Sequence, residues 1–149
     1  MLGELNETQM NNIISSQIVG RLACSNGKQP YIVPVTYAYD GKFIYGQTDE
    51  GMKLKILRKN PSVCFEIDMM VDLRNWQSVI IQGRFEELKE RKEKEAREIL
   101  LNKVYPLMTT DSPHRYGHET KSEIDDTNRI KPVMYRIKIR KMSGRFEKE

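Results

Sequence analysis

The sequence predicts a mainly β protein, six antiparallel strands forming a barrel with two or three helices on its flanks. Three observations predict it. Asn26-Gly27 and Asp40-Gly41 are hairpin dipeptides, each set between apolar runs rich in β-branched and aromatic residues. Further runs of the same kind occupy residues 62–67, 76–85 and 132–141. Helical spacing of apolar residues is confined to three stretches, 7–16, 50–60 and 88–104.

In chain order, Met10, Ile13 and Ile14 are spaced as one helical face behind the possible cap Asn6, which predicts an amphipathic helix over 7–16. Strands over 19–25 (VGRLACS) and 31–39 follow, joined through Asn26-Gly27, and Asp40-Gly41 turns the chain into a third strand over 42–47. Pro34 lies inside the second strand, which assigns it to an edge or a bulge because proline brings no N–H to a ladder. Met52, Leu54, Ile56 and Leu57 suit a short helix over 50–60, stopped by Asn60-Pro61. Residues 68–73 read as a connection, and WQSVIIQGRF over 76–85 is the fifth strand, with Gly83 marking a bulge or a close approach. Leu88, Ala96, Ile99, Leu100 and Val104 form one stripe of a long helix over 88–104, and its KERKEKEARE surface is a solvated charged face. A polar stretch over 108–129, which holds His114 and His118, precedes the last strand at 132–141.

The 149 residues predict one domain over 1–149, with 38% hydrophobic against 31% charged residues; for so polar a chain, dimerisation is one way to enlarge the core. The net charge of +4 comes from 25 basic and 21 acidic residues mixed along the chain, which argues against a nucleic-acid arm. Cys24 and Cys64 sit in apolar strand patterns without a second Cys or His at ligand spacing, so both read as buried structural thiols and no metal is expected. No window is apolar enough to span a membrane and no basic-then-apolar leader is visible, so the expected location is cytoplasmic.

The loop from Thr48 through Gly51-Met52-Lys53 opens a helix directly after a strand. Free N–H groups and the positive end of the helix dipole converge at such a place, Lys53 adds a full charge, and Gly51 lets the backbone come close, so the loop can hold a phosphate. The same residues also suit a plain capped turn.

The order of several strings along the chain is more specific than any of them alone. Gly20-Arg21-Leu22-Ala23, the stretch 30–37 (PYIVPVTY), Tyr39-Asp40-Gly41, Gly51-Met52-Lys53, the stretch 57–61 (LRKNP) and the stretch 78–83 (SVIIQG) resemble, in that order, the pyridoxamine 5'-phosphate oxidase-like flavoproteins with the FMN-binding split-barrel fold. Within them the chain is most similar to the group containing the 5-nitroimidazole resistance proteins. The helix after these strings and a terminal strand near Ser143-Gly144-Arg145 fit in order as well.

The resemblance implies a six-stranded antiparallel FMN-binding split barrel, a homodimer with FMN at the subunit interface, and a flavin-dependent oxidoreductase acting on a small molecule. Carried over by position, Lys53 and Thr48 would face the phosphate, with Met52 beside them in the same loop. Val33, Pro34, Val35 and Thr36 would run along the flavin through their backbone, Gln47 would approach the ribityl chain or ring, and Gln77 and Ser78 would touch the cofactor from the fifth strand. A phosphomonoester carries about −1.5 to −2 charge and calls for such cationic and N–H donors.

Departures bear on the reaction. Asp49 and Glu50 stand where the family has small or basic residues, and they are expected to face solvent. Met52 replaces the Arg frequent in the oxidases and the His of the nitroimidazole group, and the oxidase's substrate-binding basic residues have no counterpart in the shorter C-terminal part. Neither nitroimidazole reduction nor pyridoxamine phosphate oxidation is therefore expected, and no catalytic acid or base stands out. Two alternatives stay open: a flavin-binding or sensing protein without turnover, and a split barrel that uses deazaflavin or haem. Trp76 reads as interface or core packing beside a flavin-stacking role, the two histidines as exposed loop residues beside a proton-donor role, and Tyr37 and Tyr39 as packing residues. Arg21 is expected to make an ion pair across the barrel.

Overall fold

The computed structural model describes residues 1–107 and 132–149. In chain order the elements are β1 (Leu2–Glu4), α1 (Glu7–Ser16), β2 (Val19–Ser25), β3 (Pro30–Thr36), β4 (Ala38–Tyr39), β5 (Phe43–Thr48), α2 (Met52–Lys59), β6 (Ser62–Asp72), β7 (Asn75–Glu87), α3 (Glu90–Val104), a 3-10 turn (Tyr105–Leu107) and β8 (Val133–Glu147). Strands β3-β2-β6-β7-β8-β5-β4 form one antiparallel sheet in that order, and β1 adds to the end of β8. The sheet curls as a split barrel, with β8 long enough to serve β7 along its whole length and β5 along its first half.

Alternation decides what faces inward. Leu22 and Cys24 of β2, Val63, Phe65 and Ile67 of β6, and Val79, Ile81 and Phe85 of β7 are buried at every second position and meet in the main core. Two helices cover it, α1 with Met10, Ile13 and Ile14 and α2 with Leu54, Ile56 and Leu57. Each fully buried side chain of this size contributes about 1.5–3 kcal/mol. The Asn6 side chain accepts from the Gln9 N–H while Gln9 accepts from the Asn6 N–H, both at 2.9 Å, a reciprocal cap that starts α1 where expected. Tyr37 then ties α1 down, its hydroxyl donating to the Ile14 carbonyl at 2.6 Å and its ring standing edge-on to Phe65 at 5.3 Å. On the opposite face of β5 and β8, α3 packs Ala96 and Leu100 against Ala38, Tyr45, Leu88 and Met134 in a second, smaller cluster.

The fold class is the expected one, and the differences lie in strand number and length. The predicted strand over 31–39 is two strands, because Tyr37 leaves the ladder, gives its N–H to the Ile18 carbonyl at 3.1 Å and drops its ring into the core. β1 is a second addition to the six, too short to leave an alternating pattern. Residues 68–72, read as a connection, continue β6, and β8 runs on to Glu147; in both places main-chain pairing with β7 keeps extended a stretch that lacks an alternating apolar pattern. Pro34 lies on β3, the edge of the sheet, and a register shift between Gln82 and Gly83 puts a bulge in the β7–β8 ladder. Cys64 is only half-buried on the face opposite to Cys24, which corrects the expectation of two buried thiols; both are free. His114 and His118 fall outside the described residues.

Candidate functional site

Three elements converge on a cleft of about 430 Å³. The end of β3 contributes Pro34, Val35 and Thr36, with Tyr31 further back on the same strand; the end of β5 contributes Gln47 and Thr48; and the turn into α2 contributes Asp49, Gly51, Met52 and Lys53. Gly51 is the N-cap of α2, and as no side chain caps this helix, its first N–H groups are not claimed from that side. A Cβ at Gly51 would meet no atom within 4 Å, so the backbone is open to approach there.

Lys53 is half-buried, and the loss of hydration pushes its ammonium pKa down against the opposing pull of Asp49 and of Cys24. No carboxylate lies within ion-pair distance of it among the described residues. Thr48 is the one buried polar residue of the described core, and its hydroxyl reaches only the Asp49 carbonyl, at 3.2 Å. A desolvated cation, a hydroxyl and an uncapped helix start thus lie on one side of the cleft, a donor set whose chemistry suits an anion, and the end of β3 forms the other wall.

Of the ten residues singled out in the sequence, the cleft gathers Pro34, Val35, Thr36, Gln47, Thr48, Met52 and Lys53. Val33 pairs with Leu22 and does not line it. Gln77 and Ser78 lie on β7, separated from β3 by β2 and β6. Gln77 lines a second cleft of about 410 Å³ with Trp76, Met69 and Phe146, where the Trp76 indole N–H donates to Glu147 at 3.3 Å. Ser78 donates to Glu66 at 3.3 Å on the outer face of the sheet. The two acidic loop residues separate: Glu50 turns to Arg58, whereas Asp49, expected to face solvent only, is exposed and also lines the cleft. Tyr31 was not singled out, although its place two and four residues before Val33 and Val35 gives it their side of the strand.

The outer face carries its own charged group. Arg21 pairs with Asp68 at 3.3 Å and with Glu66 at 3.8 Å. Burial, and then the neighbouring Asp68, push the Glu66 carboxyl up to about 7, against Arg21 and Ser78. Among the described residues no group of three His, Cys, Asp or Glu is arranged to hold a metal ion, and no helix is long and apolar enough to cross a membrane.

A sequence model of the pyridoxamine 5'-phosphate oxidase family matches residues 6–146. The chain belongs to this family. A FAD-binding protein of known structure from Mesorhizobium loti is 28% identical with 98% of both chains covered and a TM-score of 0.76. The structure of a proposed 5-nitroimidazole antibiotic resistance protein from Bacteroides thetaiotaomicron superimposes with a TM-score of 0.71 over 98% of this chain and 87% of that one; at 15% identity the likeness is one of fold. An uncharacterised protein from Rhizobium meliloti strain 1021 is 36% identical over 84 residues, 56% of this chain and 56% of that protein, so the match spans little more than half of the curated relative.

Proposed function

We propose that this chain is an FMN-binding oxidoreductase that acts on a small molecule, with the cofactor phosphate held at the start of α2. The observation that carries the reading is Lys53, a half-buried ammonium without a carboxylate partner among the described residues, facing the same cleft as an uncapped helix start. Such a donor set suits a dianion, and a cleft of about 430 Å³ is of cofactor-binding size. Lys53, Thr48 and the first N–H groups of α2 would hold the phosphate, and Pro34 to Thr36 with Gln47 would line the rest of the molecule. Bound flavin supplies hydride chemistry, while the protein supplies position and electrostatics. The FAD-binding relative from Mesorhizobium loti supports a flavin in general, so FAD belongs beside FMN in every binding experiment.

The same reading calls for a homodimer. On one chain β2 and β6 stand between Gln77 and Ser78 of β7 and the β3 wall, and a second copy laid on the outer face of β2, β6 and β7 would bring its own Ser78, which lies on that face, toward the cofactor. Exposed Val19, Ile32 and Ile80 on that face support the contact.

Purified protein should be yellow, carry one flavin per chain and elute as a dimer; a colourless preparation that takes up neither FMN nor FAD overturns the reading. The absorbance spectrum also separates flavin from deazaflavin and haem. A second reading, flavin holding without turnover, is favoured by Met52, which is 68% exposed and brings no proton-transfer group to the cleft. Failure of NADH or NADPH to reduce the bound flavin would favour it.

A further inference from the structure

Arg58, in the last turn of α2, reaches back to the loop that opens the helix. Its Nη1 and Nη2 donate to the two Glu50 carboxylate oxygens at 3.1 and 3.0 Å. The same guanidinium donates to Glu87, the last residue of β7, through Nη2 at 2.6 Å and Nε at 3.4 Å. One planar group thus forks onto two carboxylates and joins loop, helix and sheet, a geometry that lysine cannot reproduce. Arg58 holds the Glu87 carboxyl below the usual range, and the two carboxylates hold the guanidinium fully charged.

An isolated pair this exposed contributes little to stability. Its location gives it another consequence. Glu50 immediately precedes Gly51, the N-cap, which no packing confines, and the uncapped N–H groups of α2 follow. A carboxylate so close to the helix start is a natural competitor for an anion, since both seek the positive end of the dipole. Arg58 draws Glu50 the other way.

We propose that Arg58 is the positioning residue of the anion subsite: by holding Glu50 against Glu87 it keeps the start of α2 open and sets the preference for a phosphorylated flavin over its unphosphorylated form. This rests on the cofactor reading above. Without the fork, the Glu50 carboxylate swings toward the helix start, where it repels phosphate and occupies its donors. A ligand that lacks the phosphate is indifferent to that change.

The test compares dissociation constants of FMN and riboflavin for the wild type, Arg58→Met, Glu50→Gln and the double variant, with thermal unfolding in parallel. Arg58→Met is expected to weaken FMN about tenfold through the freed like charge while riboflavin changes less than about twofold. Glu50→Gln in the Arg58→Met background is expected to restore FMN binding, which a merely structural role would not permit. Equal losses for both ligands, or no rescue by Glu50→Gln, overturn the proposal and leave the cofactor reading intact. Should Arg58→Met fail to fold, Arg58→Lys carries the comparison, since it keeps the charge and loses the fork; an unchanged FMN-to-riboflavin ratio in it counts against the proposal. A wild-type protein that binds neither ligand overturns both readings.

Discussion

A Cβ at Gly83 would stand 2.5 Å from the Lys138 carbonyl oxygen and 2.7 Å from Ile137 Cγ2. The obstacle is backbone, in the middle of the longest ladder of the barrel and beside the β7–β8 bulge, so it cannot step aside as a side-chain end would. Gly83→Ala is expected to destabilise the protein by about 1–3 kcal/mol, the usual range for overpacking. Chemical denaturation checks this, and a midpoint equal to the wild type would contradict the packing described for that ladder.

Lys53→Ala removes the ammonium of the proposed phosphate site. A charge-assisted hydrogen bond of roughly 1.5–3 kcal/mol corresponds to a loss of about ten- to a hundredfold in FMN affinity. Riboflavin should bind as before, and the fold should be kept, since Lys53 makes no ion pair among the described residues. Titration of both ligands decides it: an unchanged FMN constant removes Lys53 from the phosphate.

Glu66 gives the stability a pH slope of known sign. Its carboxyl is pushed up to about 7 in the fold from an ordinary 4.5, by burial first and by Asp68 second, with Arg21 and Ser78 opposing. Between those values the folded chain holds a proton that the unfolded chain has released. This group's contribution is therefore full below the ordinary value and lost as pH rises through the raised one. Glu66→Gln should stabilise the protein at about pH 8 and flatten the slope between 4.5 and 7, read by thermal unfolding across that window. Parallel curves for the two proteins would show that the acid pair carries no such linkage.

Glu90, the first residue of α3, has φ +59°, a left-handed conformation in which a Cβ is strained. Glu90→Gly relieves it and should add up to about 1 kcal/mol, which raises the unfolding midpoint by roughly 2–4 °C in a chain of this size. A lower midpoint would mean that the Glu90 side chain contributes more to the first turn of α3 than its backbone costs.

What was legible in the sequence was whatever depends on neighbours in the chain. The Asn6–Gln9 cap, the two glycine-bearing hairpin turns and the alternation of β2 and β7 follow from local chemistry, and the elements appear where that chemistry puts them. Tyr37 was harder. Its excursion from the strand is driven by Phe65 and by the Ile14 carbonyl, both distant in sequence, so the run 31–39 reads as one strand until the partners are present. The far ends of β6 and β8 were missed because ladder pairing, with no apolar pattern behind it, keeps them extended. At the cleft, the loop into α2 and the β3 wall were legible together because they lie in one stretch of chain. The turning of Glu50 to Arg58 was not foreseen, since nothing in a run of mixed charges says which carboxylate a given arginine will select.

The sheet is not closed, so its rims face the surroundings, and their make-up has a consequence for behaviour at high concentration. Proline offers no N–H, and Pro30 and Pro34 on the β3 rim fall on the same row of backbone groups, thinning the donors that a passing strand could grip. The rim at β4 is two residues long and β1 is three, each too short to template a neighbour. Edge-to-edge growth of one molecule onto the next therefore has no good starting point at these three rims.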